Sequence, residues 1–137
     1  MIAEHLDAIE KLLRAEGVTV HREPPQDVQT RRASDFPYVV LYSDPGARSS
    51  SRMMTGAHRA DFIVQTTLVS LNYASVNSER DFVVKALAQR RPVVAGRRCS
   101  VITHLPGPQP SRDSDIPDRT VVTAFDRWSF YSLADNS

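Results

Sequence analysis

The chain has 137 residues (15.3 kDa), 41% of them hydrophobic, with a mean hydropathy of −0.34 and a net charge of +1. That length suits one domain with its own core, the composition excludes a disordered chain, and the charge excludes a polyanion binder acting by net charge alone. The single Cys99 excludes an internal disulfide and fits a reducing compartment or a virion assembled there; the polar segment Met1–Arg14 does not read as a secretory signal, and no run approaches the roughly 20 apolar residues of a membrane span.

Ile2–Ala15 reads as an amphipathic helix. Ile2, Leu6, Ile9 and Leu13 recur at i, i+4, i+7 and i+11, Leu12 widens the stripe, and Glu10 can pair with Arg14 on the outer face. Gly17 stands where a helix C-cap belongs. Val18–Arg22 reads as a short strand stopped by Pro24 and Pro25, and the polar stretch Gln26–Ser34 as a loop. Pro37–Ser43, PYVVLYS, is β-branched and aromatic, as a strand should be. Asp44–Ala57 joins a turn signal to a serine run with Arg48, Arg52, Met53 and Met54, and reads as a long, mobile hairpin loop.

His58–Tyr73 is the longest expected strand. Phe62, Val64, Thr66, Leu68 and Ser70 point one way, and Ile63, Gln65, Thr67, Val69 and Leu71 the other. Neither face is wholly polar, so one is expected to meet helices and the other to be partly covered. Ser75–Arg90 reads as the second helix, with Ser78 and Asp81 as its capping pattern and Pro92 as its stop. Val93–Leu105 holds a strand centred on Cys99–Thr103. Pro106–Asp118 is a polar, proline-rich loop, Thr120–Leu133 a closing aromatic strand, and Ala134–Ser137 a frayed tail. The order α-β-β-β-α-β-β predicts an α+β fold: two helices packed on one mostly antiparallel β-sheet, with a long β-hairpin loop, in a single domain spanning 1–137. An open sheet edge would suit lateral assembly.

Reactive chemistry is sparse. His5, His21, His58 and His104 have no metal-ligand spacing. Ser49–Ser51 lacks a nucleophile elbow. Asp113, Asp115 and Asp118 lack the turn glycine of a calcium loop, and the isolated glycines make no phosphate cradle. The expectation is no catalytic residue, no metal and no cofactor. His58 and His104 read as strand-end surface residues and Cys99 as a small apolar core group.

Arginine dominates the cations, with only Lys11 and Lys85 as lysines, a bias that coding composition explains better than interface use does. Arg90, Arg91, Arg97 and Arg98 bracket the turn after the second helix, where they suit phosphate, an acidic neighbour or plain solvent. Strand alternation places Arg97 and Arg98 on opposite sheet faces. No aromatic residues interleave with them in sequence, so single-strand stacking is not indicated.

The element order, with PYVVLY, the polar hairpin loop, FIVQTTLVSL, SERDFVVKALAQRRP, GRRC and the late W-S-F-Y strand, resembles the tail terminator proteins of long-tailed (siphovirus-type) phages, with a lambda-like fold, from the first helix to Tyr131. The resemblance implies a sheet with helices on one side and a structural virion protein without enzyme activity. It implies a hexameric ring at the head-proximal end of the tail tube, made in the host cytoplasm, that stops tube polymerisation and joins the tail to the neck. The implied partners are further copies of the chain, the tail tube protein and a neck or head-closure protein, with DNA passing the lumen and no membrane. Loop placement, not a family motif, gives the expected interface residues: Arg48, Arg52, Met53, Met54, Arg59, Arg90, Arg91, Arg97, Arg98, Asp113, Asp115 and Asp118. A head–tail connector or head-closure protein, a small nucleic-acid-binding domain using the arginine cluster, and a small hydrolase using His58 or His104 are the alternatives.

Overall fold

The computed structural model describes residues 2–25, 31, 35–43, 59–112 and 119–134. In chain order they form α1 (Ile2–Ala15), β1 (Val20–His21), β2 (Tyr38–Ser43), β3 (Arg59–Ser70), α2 (Tyr73–Leu87), β4 (Arg97–Cys99), β5 (Thr103–Leu105), β6 (Ser111–Arg112) and β7 (Val122–Ala134). The fold is α+β, with two helices on a mixed, mostly antiparallel sheet, as the pattern predicts.

α1 buries Leu6, Ile9 and Leu13 of the expected stripe, with His5 and Ala8 added, while Leu12 is half-buried and Ile2, in the first turn, is exposed. Its end is a Schellman turn. Gly17, at φ 82°, donates its N–H to the Arg14 carbonyl at 3.0 Å, and Val18 donates to the Leu13 carbonyl at 3.2 Å. A left-handed residue here is cheapest without a Cβ.

β3 and β7 make the spine of the sheet, paired antiparallel from Arg59↔Leu133 to Ser70↔Val122. β2 lies antiparallel on the outer side of β3, and β1 lies parallel to β2. The 44–57 loop expected between β2 and β3 lies outside the described residues; the strands it joins are antiparallel neighbours. On the other side of β7, β4, β5 and β6 pair in turn with residues 132–134, 127–129 and 122–123. They make one interrupted edge strand. Between Cys99↔Ser132 and Thr103↔Ser129 this strand carries one residue more than β7, a bulge. Ser100 pins it: its N–H donates to the Tyr131 carbonyl at 2.7 Å, and its Oγ accepts from the Tyr131 N–H at 2.9 Å.

Four expectations are corrected here. The strand centred on Cys99–Thr103 is two short strands flanking the bulge, and the 106–118 loop contains β6. α2 starts at Tyr73 and ends at Leu87, and its cap is Asn72, whose Oδ1 accepts from the Ser75 N–H at 2.7 Å. Ser78 and Asp81 lie inside the helix, because the extended backbone that a cap needs is at Asn72 (φ −156°, ψ 164°). The sheet edge is also less open than expected. The Ile102 N–H donates to the Arg90 carbonyl at 2.7 Å, the Ile102 carbonyl accepts from the Gln89 N–H at 3.0 Å, and Arg91 Nη1 donates to the Cys99 carbonyl at 2.6 Å. The α2–β4 connection thereby covers part of the edge against further strands.

Both helices lie on one face. Ile9, Leu13, Val76, Val83 and Leu87 pack with Val64, Leu68, Ile102 and Trp128 into the main core. Each such side chain, fully buried, stabilises by about 1.5–3 kcal/mol. Cys99 is buried with Ala8 and Val94, as a small apolar group, and burial pushes its thiol up. The opposite face is partly covered: Tyr38, Val40, Val69 and Val121 form a second cluster, joined by Phe36 and Tyr42.

Candidate functional site

One cluster joins residue types used in catalysis. Asp126 on β7 is fully buried. Its Oδ2 accepts from Arg80 Nε at 2.9 Å, and its Oδ1 accepts from Arg80 Nη2 at 2.8 Å, from the Gly107 N–H at 3.0 Å and from His104 Nε2 at 2.9 Å. Burial pushes this carboxyl up, but the bonds from Arg80, Gly107 and His104 outweigh it and hold the group below the usual carboxylate range. The carboxylate is therefore ionised, and His104 Nε2 carries the shared hydrogen. With four donors on two oxygens, the group has little capacity left to act as a base. The cluster is a clamp: it ties α2, β5 and the turn after β5 onto β7.

Its surroundings fit that role. The His104 ring stacks on Trp128 with centroids 4.3 Å apart, and Trp128 Nε1 donates to Thr66 Oγ1 at 2.9 Å. Gly107 passes so close to β7 that a Cβ there would lie 1.8 Å from the Phe125 carbonyl oxygen. His104 is thus not the strand-end surface residue expected from the sequence. Arg80 and Asp126 were missed because they are 46 positions apart. The available signal was the alternation Ala124, Asp126, Trp128, Phe130, which points an aspartate inward among apolar residues, where it needs a partner.

The expected interface residues separate. Arg97 lies on the helix side, donating from Nε to Ser132 Oγ at 3.1 Å and from Nη2 to the Ser132 carbonyl at 3.0 Å. Ser132 Oγ lies 2.9 Å from His5 Nε2, and the His5 ring stacks on Phe62 at 4.2 Å. Arg90 sits 3.9 Å from Glu16, far enough for a weak, exposed pair. Arg98 is exposed on the opposite face, as alternation requires, and has no hydrogen bond or ion pair among the described residues.

The structure does gather Arg59, Arg91 and Arg98. Leu133 is paired in register with Arg59 on one side and Arg98 on the other. Arg59 donates from Nε and Nη2 to Asp61 Oδ1 at 3.1 and 2.9 Å, and its guanidinium carbon lies 4.1 Å from the Tyr131 ring centroid. A shallow depression of about 170 Å³ beside them is lined by Arg91, Arg98, Cys99, Ser100, Tyr131 and Leu133. Exposed forks held over an aromatic ring suit carboxylate or phosphate oxygens. Arg48, Arg52, Met53, Met54, Asp113, Asp115 and Asp118, with His58 and Ser49–Ser51, lie outside the described residues.

The far end of this face holds a larger groove of about 450 Å³, walled by Pro24, Pro25, Tyr38, Val40, Val69 and Val121, with Arg22 on its rim. Arg22 is held there by Asp7 at 2.9 Å and Glu10 at 3.2 Å. Among the described residues, no group of three or more His, Cys, Asp and Glu is placed to hold a metal ion, and no helix is long and apolar enough to cross a membrane.

Neither a protein-family model nor a curated protein sequence matches the chain. A solved structure does. A chain of the virion of a native gene transfer agent particle superposes with a TM-score of 0.62 at 14% identity, covering 96% of this chain and 94% of that chain. At that identity the match shows a shared fold, over nearly the whole of both chains.

Proposed function

We propose that this chain is a structural subunit of a virion, and specifically a tail terminator. In this reading copies of it close into a ring, six-membered as in the family it resembles, at the head-proximal end of the tail tube. The ring stops tube polymerisation and presents a surface to the neck. The observation that carries the reading is the fold shared end to end with a virion component. Two features of the site support it. The buried Asp126 cluster is saturated by its own fold and serves as a clamp. The exposed arginines sit on a helix-free sheet face, where a neighbour can reach them.

Counting and locating the chain in purified particles tests the role. A terminator is present as one ring's worth of copies per tail, at the end next to the head. Copies spaced along the tube identify a tube protein instead. Copies that stay with the head when tails detach identify a connector or head-closure protein.

A further inference from the structure

We propose that the ring is built by a head-to-tail contact in which the outer surface of α2 in one copy, at Phe82 and Asp81, docks on the Arg98–Leu133–Tyr131 patch of the next. This rests on the ring reading above and names the surfaces that make it. A sheet face that meets only water turns polar residues outward. The helix-free face does not: its positions on β3 and β7 include Ile63, Phe125, Tyr131 and Leu133, all at least partly exposed. Its charge is mostly positive, with Arg59, Arg98 and Arg127 placed there by register against Asp61 on the same strands. Arg59 and Asp61 answer each other, but Arg98 is exposed and unengaged among the described residues. α2 offers the complement. Phe82 is 46% exposed, and Asp81 beside it is exposed too. Neither Asp81 nor Glu79 has a hydrogen bond or ion pair among the described residues, because Arg80 between them is taken up by Asp126 and Lys85 leans toward Glu16, at 3.9 Å. Glu79 is half-buried three residues before Phe82, on the adjoining helix surface, and burial pushes its carboxyl up with no cation to answer it. An aromatic ring laid on Leu133 and Tyr131 removes apolar surface from water on both sides, and a planar fork binds a carboxylate in bidentate fashion.

The layering of the fold decides that a second copy supplies the acid. α2 packs on one face of the sheet, with Val64, Leu68 and Trp128, whereas Arg98 is in register with Leu133 and Arg59 on the other. The sheet therefore stands between a chain's own Asp81 and its own Arg98. The two surfaces also point away from each other, so one partner cannot fill both, and a closed pair of copies is excluded. Each copy instead lends α2 to one neighbour and its sheet face to another. That heterologous contact closes rings when the rotation allows and makes filaments when it does not. Docking α2 there gives the sheet helices on both faces, the arrangement that suits a sheet apolar on both.

The test reads assembly of the full chain by native mass spectrometry in solution and by copy number on tails reassembled with each version. Wild type should give the closed ring. Arg98→Glu, Asp81→Arg and Phe82→Ala alone should each associate at least about 10-fold more weakly, as when one side of a buried contact is lost. Mixed in equal amounts, the Arg98→Glu and Asp81→Arg chains should form rings in which the two alternate, because every junction then joins opposite charges. Both changes in one chain should likewise restore self-association, which a variant that fails to fold could not do. Single variants that form the wild-type ring overturn this contact and leave the ring reading standing. Single variants that fail, with no recovery in the mixture or in the doubly changed chain, overturn the pairing of these two surfaces. Intact variant rings that retain less DNA assign the arginine patch to phosphate and overturn the contact. A wild type with no ring, in solution at any concentration or on tails, overturns both readings.

Discussion

Two arginine–aspartate contacts on the same sheet have opposite fates. Arg80 and Asp126 meet on the helix face, where the carboxylate is fully buried and every acceptor is filled. Arg59 and Asp61 meet on the open face, with side chains 50% and 35% exposed. The chemistry is the same, so the environment decides the role. The inner pair holds the chain's own parts together, because breaking it strands a charge away from water. The outer pair adds little to folding, because water screens it, and that leaves its neighbourhood available to another molecule.

The sharpest way to break the comparison is to remove one partner of the inner pair. Arg80→Ala leaves Asp126 buried without its main counter-charge and should cost about 3–5 kcal/mol in urea unfolding. Arg59→Ala should leave the urea midpoint of the monomer where it was. Equal effects from the two would mean that burial does not separate them. Next in size is Gly107→Ala. The added methyl meets the Phe125 carbonyl, so the turn must lift from β7 and loosen the clamp. A loss of about 1–3 kcal/mol is expected by the same measurement.

Acid titration sharpens the comparison from another side. Asp126 is held below its ordinary value of 3.8. Its contribution to stability is therefore complete above that pH and is lost as pH falls through the lower folded value. Wild type should lose stability steeply there, and Asp126→Asn, already destabilised at neutral pH, should lose less over the same interval. An Asn variant with the wild-type acid slope would show that other carboxylates drive the loss. The smallest effect expected is a gain. Gln89 holds a left-handed φ of 61° where α2 turns toward Ile102. Gln89→Gly keeps the backbone N–H that bonds Ile102 and should raise stability by up to about 1 kcal/mol in thermal unfolding; a lowered Tm would contradict this.

The sequence made local features legible and left long-range ones hidden. The α1 stripe, the Gly17 cap and the two-faced alternation of β3 are written within a few residues of one another, and each appears as expected except that Ile2, at the start of the stripe, is exposed. The Asn72 cap is hidden in the sequence because Ser78 and Asp81 mimic a capping pattern nearly two turns too late. β5 and β6 are two or three residues long and exist because β7 is there to pair with them, so no local pattern encodes them. The clamp joins Arg80, His104 and Asp126 across three elements, and only the inward aspartate hinted at it. Of the arginines that bracket the turn after α2, alternation separated Arg97 from Arg98, but spacing did not tell that Arg91 joins Arg98 in a depression while Arg90 pairs weakly with Glu16.

The length of tail tubes assembled without this chain tests the terminator reading most directly. Electron microscopy of particles from which the chain has been deleted should show tubes that run past the wild-type length, with a broad distribution, and purified chain added during assembly should restore a single length. Tubes of unchanged, uniform length in its absence would contradict the reading.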